Sequence, residues 1–327
     1  MITTTQGQRE TTQRSAHWRN VSILLGLVLL LSACTNSRLI ISPLYNRLDD
    51  RIRSEFHKLG DFNEEQTAAF EQALGTFHVW HRQSELPRYA ALLAQIADSI
   101  ARPGVTTAND VKSWMQRAEA FSLEARQCYP ANFLAGTVRT LSDEQLIRIE
   151  RRFKNERSKN RERYASRTPE ERVEFRLERL DKWLGRIQLN LNTSQRQLLR
   201  ESLSRQTSLR KQYYTLSDRW NRRLFNLARQ QDRPDYEPVL QDHMATLWSL
   251  LESHYPKQWQ ANRDLWQTTV LELVNSLSEG QRRQASQWLA TMGRTLLAVS
   301  KVKPSFQVGT DPGVGCLVAQ SGVGAGQ

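Results

Sequence analysis

Apolar residues along this chain recur at intervals of three and four from Pro43 to about Ser300, and no sustained two-residue alternation interrupts them. That spacing stacks side chains on one face of a helix of about 3.6 residues per turn. Val173, Leu177, Leu180, Leu184, Ile187 and Leu191 advance by 4, 3, 4, 3, 4. Leu209, Tyr213, Leu216, Trp220, Leu224 and Leu227 do nearly the same. A third stripe runs Leu240, Met244, Leu247, Leu251, His254, and a fourth Trp259, Trp266, Val270, Leu273, Leu277. A helix with one apolar stripe must bury it against another. The pattern therefore predicts an all-α, elongated or curved antiparallel helical bundle.

Proline removes a backbone donor and clashes with the preceding turn, so it marks the breaks. Breaks are expected at Pro103-Gly104, Pro130, Pro169 and Pro234, whereas Pro87 and Pro256 lie inside strong stripes and are expected only to kink them. Leu146, Ile149 and Phe153 start a stripe that fails at Lys154–Arg163, which is polar all round. That stretch reads as a solvent-exposed helix arm or a mobile connector.

One local pattern occurs four times: a hydrophobe, a capping residue, two spacers and Gln. It reads Phe62-Asn63 to Gln66, Leu141-Ser142 to Gln145, Leu191-Asn192 to Gln195, and Leu277-Ser278 to Gln281. The physics is a capping box, in which Ser or Asn accepts from a free helix N–H and Gln reaches back to the cap's own N–H. Gln66 and Gln145 are 79 residues apart, Gln195 and Gln281 are 86. The near-equal spacing suggests two similar helical halves, 45–165 and 166–300. The pattern resembles the LTxxQ signature of small periplasmic stress chaperones and envelope-stress regulators. That resemblance implies helical hairpins that dimerise into a basic cradle for unfolded clients.

The N-terminus brings in compartment. Arg9, Arg14 and Arg19 precede a run of about 11 apolar residues, Val21–Leu31. A bilayer needs roughly 20, but a signal-peptide core does not. Leu31-Ser32-Ala33-Cys34 follows and resembles a lipobox. It implies a signal peptide over 1–33, acylation (palmitate) at Cys34, and a tether over 34–44. Thr35, in place of Asp, implies sorting to the outer membrane, facing the periplasm. The chain carries a formal net charge of +12, with Arg9, Arg14 and Arg19 against Glu10 inside the signal segment. Such a balance suits anionic partners, and nucleic acid is not expected among them in that compartment. Cys128 and Cys316 are the remaining cysteines, and a disulfide between them stays open. Residues 301–327 read as a Gly-rich disordered tail.

Tyr45-Asn46-Arg47-Leu48-Asp49, the Gln66 helix, Trp80-His81-Arg82 and Glu85-Leu86-Pro87-Arg88-Tyr89-Ala90 together resemble an uncharacterised family of helical proteobacterial lipoproteins. That family carries no established activity. No nucleophile elbow, phosphate-binding glycine loop or paired-cysteine spacing appears, so no enzyme and no cofactor is expected. His78, His81 and Glu85 share a helix face and His57 lies upstream, but a structural role fits this Trp-rich helix better than a metal site. The expectation is a binding protein, either chaperone-like or sensing envelope stress. A docking lipoprotein for an envelope complex or membrane surface is the rival, and neither reading sets an oligomeric state.

Overall fold

The structure, a computed structural model, describes residues 49–128 and 137–301. The expectations for the signal peptide, Cys34, Tyr45 to Leu48, Pro130, the Cys128 side chain, Cys316 and residues 302–327 lie outside the described residues. Among the described residues the chain is all-α, with no strand. A helical segment at 49–57 is followed by α1 (Glu64–Trp80), a π-helical turn (His81–Glu85) and α2 (Leu86–Ala101). Then come α3 (Ala108–Cys128), α4 (Asp143–Ala165), α5 (Pro169–Arg186), α6 (Thr193–Arg205) and α7 (Arg210–Ala228). The chain ends with α8 (Tyr236–Ala245), a 3-10 turn (Thr246–Ser249), α9 (Leu250–His254), α10 (Pro256–Asn275) and α11 (Glu279–Ser300).

The stripes bury into two groups of linked core clusters. In one, Phe56, Phe62 and Phe70 stack and lead through Leu146, Ile149 and Phe225 to Trp220, Leu240 and Met244. This group takes the 49–57 segment, α1, α4 and α7–α9. The other joins Leu184, Leu199, Leu273 and Leu277 to Ile100, then to Ala90, Met292 and Leu296, with Leu92, Trp114 and Phe121 alongside. It takes α2, α3, α5, α6, α10 and α11. The expected halves, 45–165 and 166–300, each send helices into both groups. The long helix α1–α2 passes from one group to the other at the π-turn.

Several boundaries differ from the stripe reading, each for a local reason. Pro87 has no N–H for the Gln83 carbonyl, and the helix continues through a π register in which the Leu86 N–H bonds the His81 carbonyl. Pro256 does not kink a helix but starts one: Tyr255 is non-helical at φ −134°, ψ 53°, and the fixed φ of proline suits a first turn. The stripe from Leu240 to His254 is split, because the His243 carbonyl accepts from the Trp220 indole and the Thr246 hydroxyl. Ile187 lies beyond its helix. Gln188, at φ 60°, turns the chain while Leu189 N–H bonds the Leu184 carbonyl, a Schellman end. The polar 154–163 stretch is helical within α4 and docked on α7. Arg157 pairs with Asp218 at 3.2 Å, Arg161 reaches the same carboxylate, and the Tyr214 hydroxyl donates to the Asn160 carbonyl at 3.0 Å.

The tightest helix contact is α2 on α11. A Cβ placed on Gly293 would lie 3.1 Å from the Ala90 carbonyl oxygen, tight enough that the α2 backbone would have to give by a few tenths of an ångström. On Gly280, at the start of the same helix, it would meet only Ser278 Oγ at 4.0 Å. Gly293→Ala should therefore lower unfolding free energy by about 1–3 kcal/mol. Gly280→Ala should be neutral or raise it by up to about 1 kcal/mol. Urea denaturation compares the two, and equal effects would contradict the close approach.

Candidate functional site

Three arrangements bring together polar residues from distant parts of the sequence. The first is built from the four glutamines. Each cap side chain accepts from its Gln N–H: Asn63 from Gln66, Ser142 from Gln145, Asn192 from Gln195, Ser278 from Gln281. Each Gln Oε1 in turn accepts from the cap's N–H at 2.9–3.0 Å. The amide nitrogens then join the boxes in pairs. Gln66 Nε2 donates to Gln145 Oε1 at 3.1 Å, and Gln145 Nε2 returns to Gln66 Oε1 at 2.9 Å. Gln195 and Gln281 do the same at 3.1 and 2.8 Å. Each nitrogen also donates to a carbonyl two residues before its partner's cap: Thr140, Asp61, Ser276 and Asn190. The apolar residue four after each Gln is buried: Phe70, Ile149, Leu199 and Ala285. Two other boxes lack this pairing. Thr168 with Glu171, and Thr107 with Asp110, use carboxylates that are themselves capped only locally.

Next to the second pair, Arg282 is buried and bonds three carbonyls, Leu277, Ile100 and Asn275, at 3.0–3.3 Å. Two of these belong to the ends of α2 and α10, where the helix dipole is negative. The corresponding position after Gln145 is Leu146. Nothing in the local sequence pattern distinguishes Arg282 from a surface arginine.

The second arrangement is the π-turn. It brings Trp80, His81, Arg82, Glu85, Leu86, Pro87 and Tyr89 together, with His78 and Asp49. Asp49, His78, His81, Arg82 and Glu85 are all buried. His78 Nδ1 lies 2.8 Å from Asp49 Oδ2, and its Nε2 faces Arg82 at 3.2 Å. Glu85 accepts from Arg88 at 2.7 Å, and Arg88 continues to Glu124 on α3 while lying over the Phe121 ring. Burial pushes the Glu85 carboxyl and the Tyr89 hydroxyl above their ordinary values. Burial, then the neighbouring His78 and Arg82 charges, lowers His81 to about 3. His81 lies among the rings of Phe77, Trp80 and Tyr89, while His57 is exposed. No group of three metal-ligating side chains occurs among the described residues. Glu124 is a member that sequence alone does not reveal.

The third is a basic cleft of about 550 Å³ between α4 and α7, lined by Arg161, Tyr164, Lys211, Tyr214, Arg219 and Arg222, with Asp218 at its wall. Together α4 and α7 hold 13 basic and 6 acidic residues, against a net +12 for the whole chain. Every other helix lies near neutrality or is mildly charged. The basic surface is therefore concentrated and not spread over alternating solvated faces.

Two predictions follow from this geometry. Gln195→Glu keeps the acceptor for the Asn192 N–H but loses both donors, and sets a carboxylate against Gln281 Oε1. It should cost roughly 2–4 kcal/mol. Exposed Glu171→Gln should stay within about 0.5 kcal/mol. A double-mutant cycle of Gln66→Ala and Gln145→Ala should show coupling of roughly 0.5–3 kcal/mol, and additivity would mean that the pair contributes nothing. The second concerns pH. His81 has a folded value near 3, below the unfolded value of about 6.5, so the unfolded chain binds a proton that the core refuses. Its contribution is complete above about pH 6.5 and falls toward pH 3 by about 1.4 kcal/mol per unit. His243, lowered chiefly by burial, acts in the same sense, and Glu85, raised, opposes it. Unfolding free energy should therefore fall less steeply between pH 6 and 4 in His81→Gln than in the wild type, and parallel slopes would refute the buried neutral imidazole.

No curated protein and no solved structure matches the chain. No helix among the described residues is long and apolar enough to cross a membrane. The family described as "Family of unknown function (DUF6279)" matches residues 58–256, a span with three of the paired glutamines, the π-turn and the basic cleft. By that match over more than half its length, the chain belongs to this family of unknown function.

Proposed function

We propose that the protein is a periplasmic lipoprotein, anchored in the outer membrane through an acylated Cys34, that binds polypeptide segments in a chaperone-like or envelope-stress role. The observation that carries this reading is the basic cleft of α4 and α7. Lys211, Arg219 and Arg222 line it beside two tyrosines, and Arg161 lies over the Tyr214 ring at 5.6 Å. Basic groups attract acidic segments at long range, and tyrosine faces hold apolar or aromatic side chains at contact. The anchor is supported by Leu31-Ser-Ala-Cys34 and Thr35. The LTxxQ-like resemblance supports the helical architecture but not a ligand contact, since all four glutamines are engaged in cap pairs.

A docking role is the second reading. It is favoured by the few large apolar side chains exposed among the described residues, Val105, Leu123, Ile147 and Leu297, which belong to four different segments of the chain.

Aggregation assays separate the two. The mature chain should suppress aggregation of denatured acidic clients without ATP, and do so less at 1 M than at 0.1 M salt, where the Debye length is about 3 and 10 Å. Replacing Lys211, Arg219 and Arg222 by Glu should slow capture while the circular dichroism spectrum is unchanged. No suppression with any client at several-fold excess would remove the chaperone reading and leave docking. Cys34→Ser should abolish palmitate labelling, and labelling that persists would remove the anchor.

A further inference from the structure

We propose that a second basic surface, on the far side of α4 from α7, docks on an anionic phospholipid bilayer. Arg148, Arg151, Arg152, Asn155 and Lys159 follow one another at helical spacing and line a cleft of about 410 Å³ with Leu59, Gly60 and Asp61. The positions i, i+3, i+4, i+7 and i+11 form one stripe, roughly 16 Å long at about 1.5 Å per residue. The face that meets α7 is a different one, carried by Glu150, Phe153, Arg157 and Asn160. Arg148, Arg151 and Lys159 are exposed, and none makes an ion pair among the described residues. Arg152 is partly engaged, donating to the Lys58 carbonyl. Asp61 and Glu156 at the cleft leave the basic charge in excess.

What favours a bilayer over an acidic protein is the place where the segment carrying Cys34 joins the described residues, at Asp49. The wall of this cleft, Leu59 to Asp61, directly follows the helical segment 49–57. That segment is about 13 Å long at 1.5 Å per residue. Upstream, Cys34 is 15 residues from Asp49, a reach of at most about 50 Å. If Cys34 is acylated, as proposed above, the chain coming from the membrane joins the described structure at the helical segment that leads directly into this cleft. One lipid signal beside a basic stripe is the combination that fixes orientation at an anionic surface. Guanidinium groups match phosphate oxygens in a planar fork, and phosphodiester headgroups present those oxygens in a dense plane.

The test uses the full mature chain with Cys34→Ser, so that no acyl chain contributes. It is mixed with vesicles of phosphatidylethanolamine alone, or with one third phosphatidylglycerol, and sedimented at 0.1 M salt. Two triple variants change the net charge equally: Arg148, Arg151 and Lys159 to Glu, and Lys211, Arg219 and Arg222 to Glu. The expected result is binding only to the phosphatidylglycerol vesicles, lost by more than tenfold in the first variant and largely kept in the second. Each removed basic contact should weaken partitioning by roughly fivefold. Circular dichroism checks that both variants remain helical. Equal losses in the two variants would show a response to net charge and overturn the docking stripe. So would no binding to anionic vesicles. Capture of an acidic envelope protein by the stripe, without vesicle binding, would also overturn it and assign the surface to a protein. None of these outcomes bears on client capture by the α4–α7 cleft, which the aggregation assay reads separately.

Discussion

A primary amide carries a donor and an acceptor on one carbon, and two amides face to face can satisfy each other while each still serves its own helix. That property organises this fold. In both pairs the glutamine oxygen closes a capping box, and the nitrogen leaves the box to bond the partner amide and a carbonyl just before the partner's cap. A helix start leaves unsatisfied N–H groups, and here two starts, 79 or 86 residues apart in sequence, satisfy them through one shared ring of hydrogen bonds. Glu could close each box but could not donate across it. Two carboxylates in that place would repel in a site where Gln66 and Gln195 are almost fully buried. Each pair sits in a different group of core clusters, so each group has its own point at which two distant helices enter together.

One of the connections between the two groups is continuous helix. Between α1 and α2 the chain stays helical through the π-turn, and the polar residues there are buried with their partners: Asp49 with His78, Glu85 with Arg88. Burying such groups is unfavourable unless they are bonded, and pairs of this kind add directional demands that an apolar seam would not. Arg282 acts similarly at the other end of α2, joining the ends of two helices to the start of α11 through three carbonyls. The Ala90–Gly293 approach then brings the first part of α2 close to α11. One helix, α2, is thus fixed near its start by two unlike interactions and at its end by a third.

How far the sequence could be read follows from the range of each interaction. The helices are legible because the stripes are local, and the cap pattern is legible because cap and Gln are three residues apart. The repeated use of Gln where Thr168 and Thr107 have Glu171 and Asp110 is a trace of the amide pairs, yet nothing local says that Gln66 meets Gln145. The π-turn is not legible: Pro87 signals a disturbance, and only the backbone shows that a change of hydrogen-bond register absorbs it. The split near Thr246 depends on the Trp220 indole, 26 residues away, bonding the turn. Arg282 and Arg148 look alike in sequence, one buried on carbonyls and the other exposed at a cleft. Side-chain type is local information, and what a charge faces is not.

The distribution of charge carries the functional argument further than its total. Two neighbouring helices with 13 basic and 6 acidic residues repel each other, and self-repulsion of this kind destabilises a compact state. The fold offsets part of it with Asp218, placed between Arg157 and Arg161, with the Glu150–Arg229 pair, and with the Phe153–Phe225 contact. Those contacts occupy the seam only. On either side of it, Arg148, Arg151 and Lys159 face one cleft and Lys211, Arg219 and Arg222 another. Solubility alone would be met by mixed charges, as on α5, where five basic residues stand against five acidic ones. A basic excess that is greatest on α4 and α7, partly neutralised at their contact and left open at two clefts, is what separate anionic partners on the two sides of one helix would require.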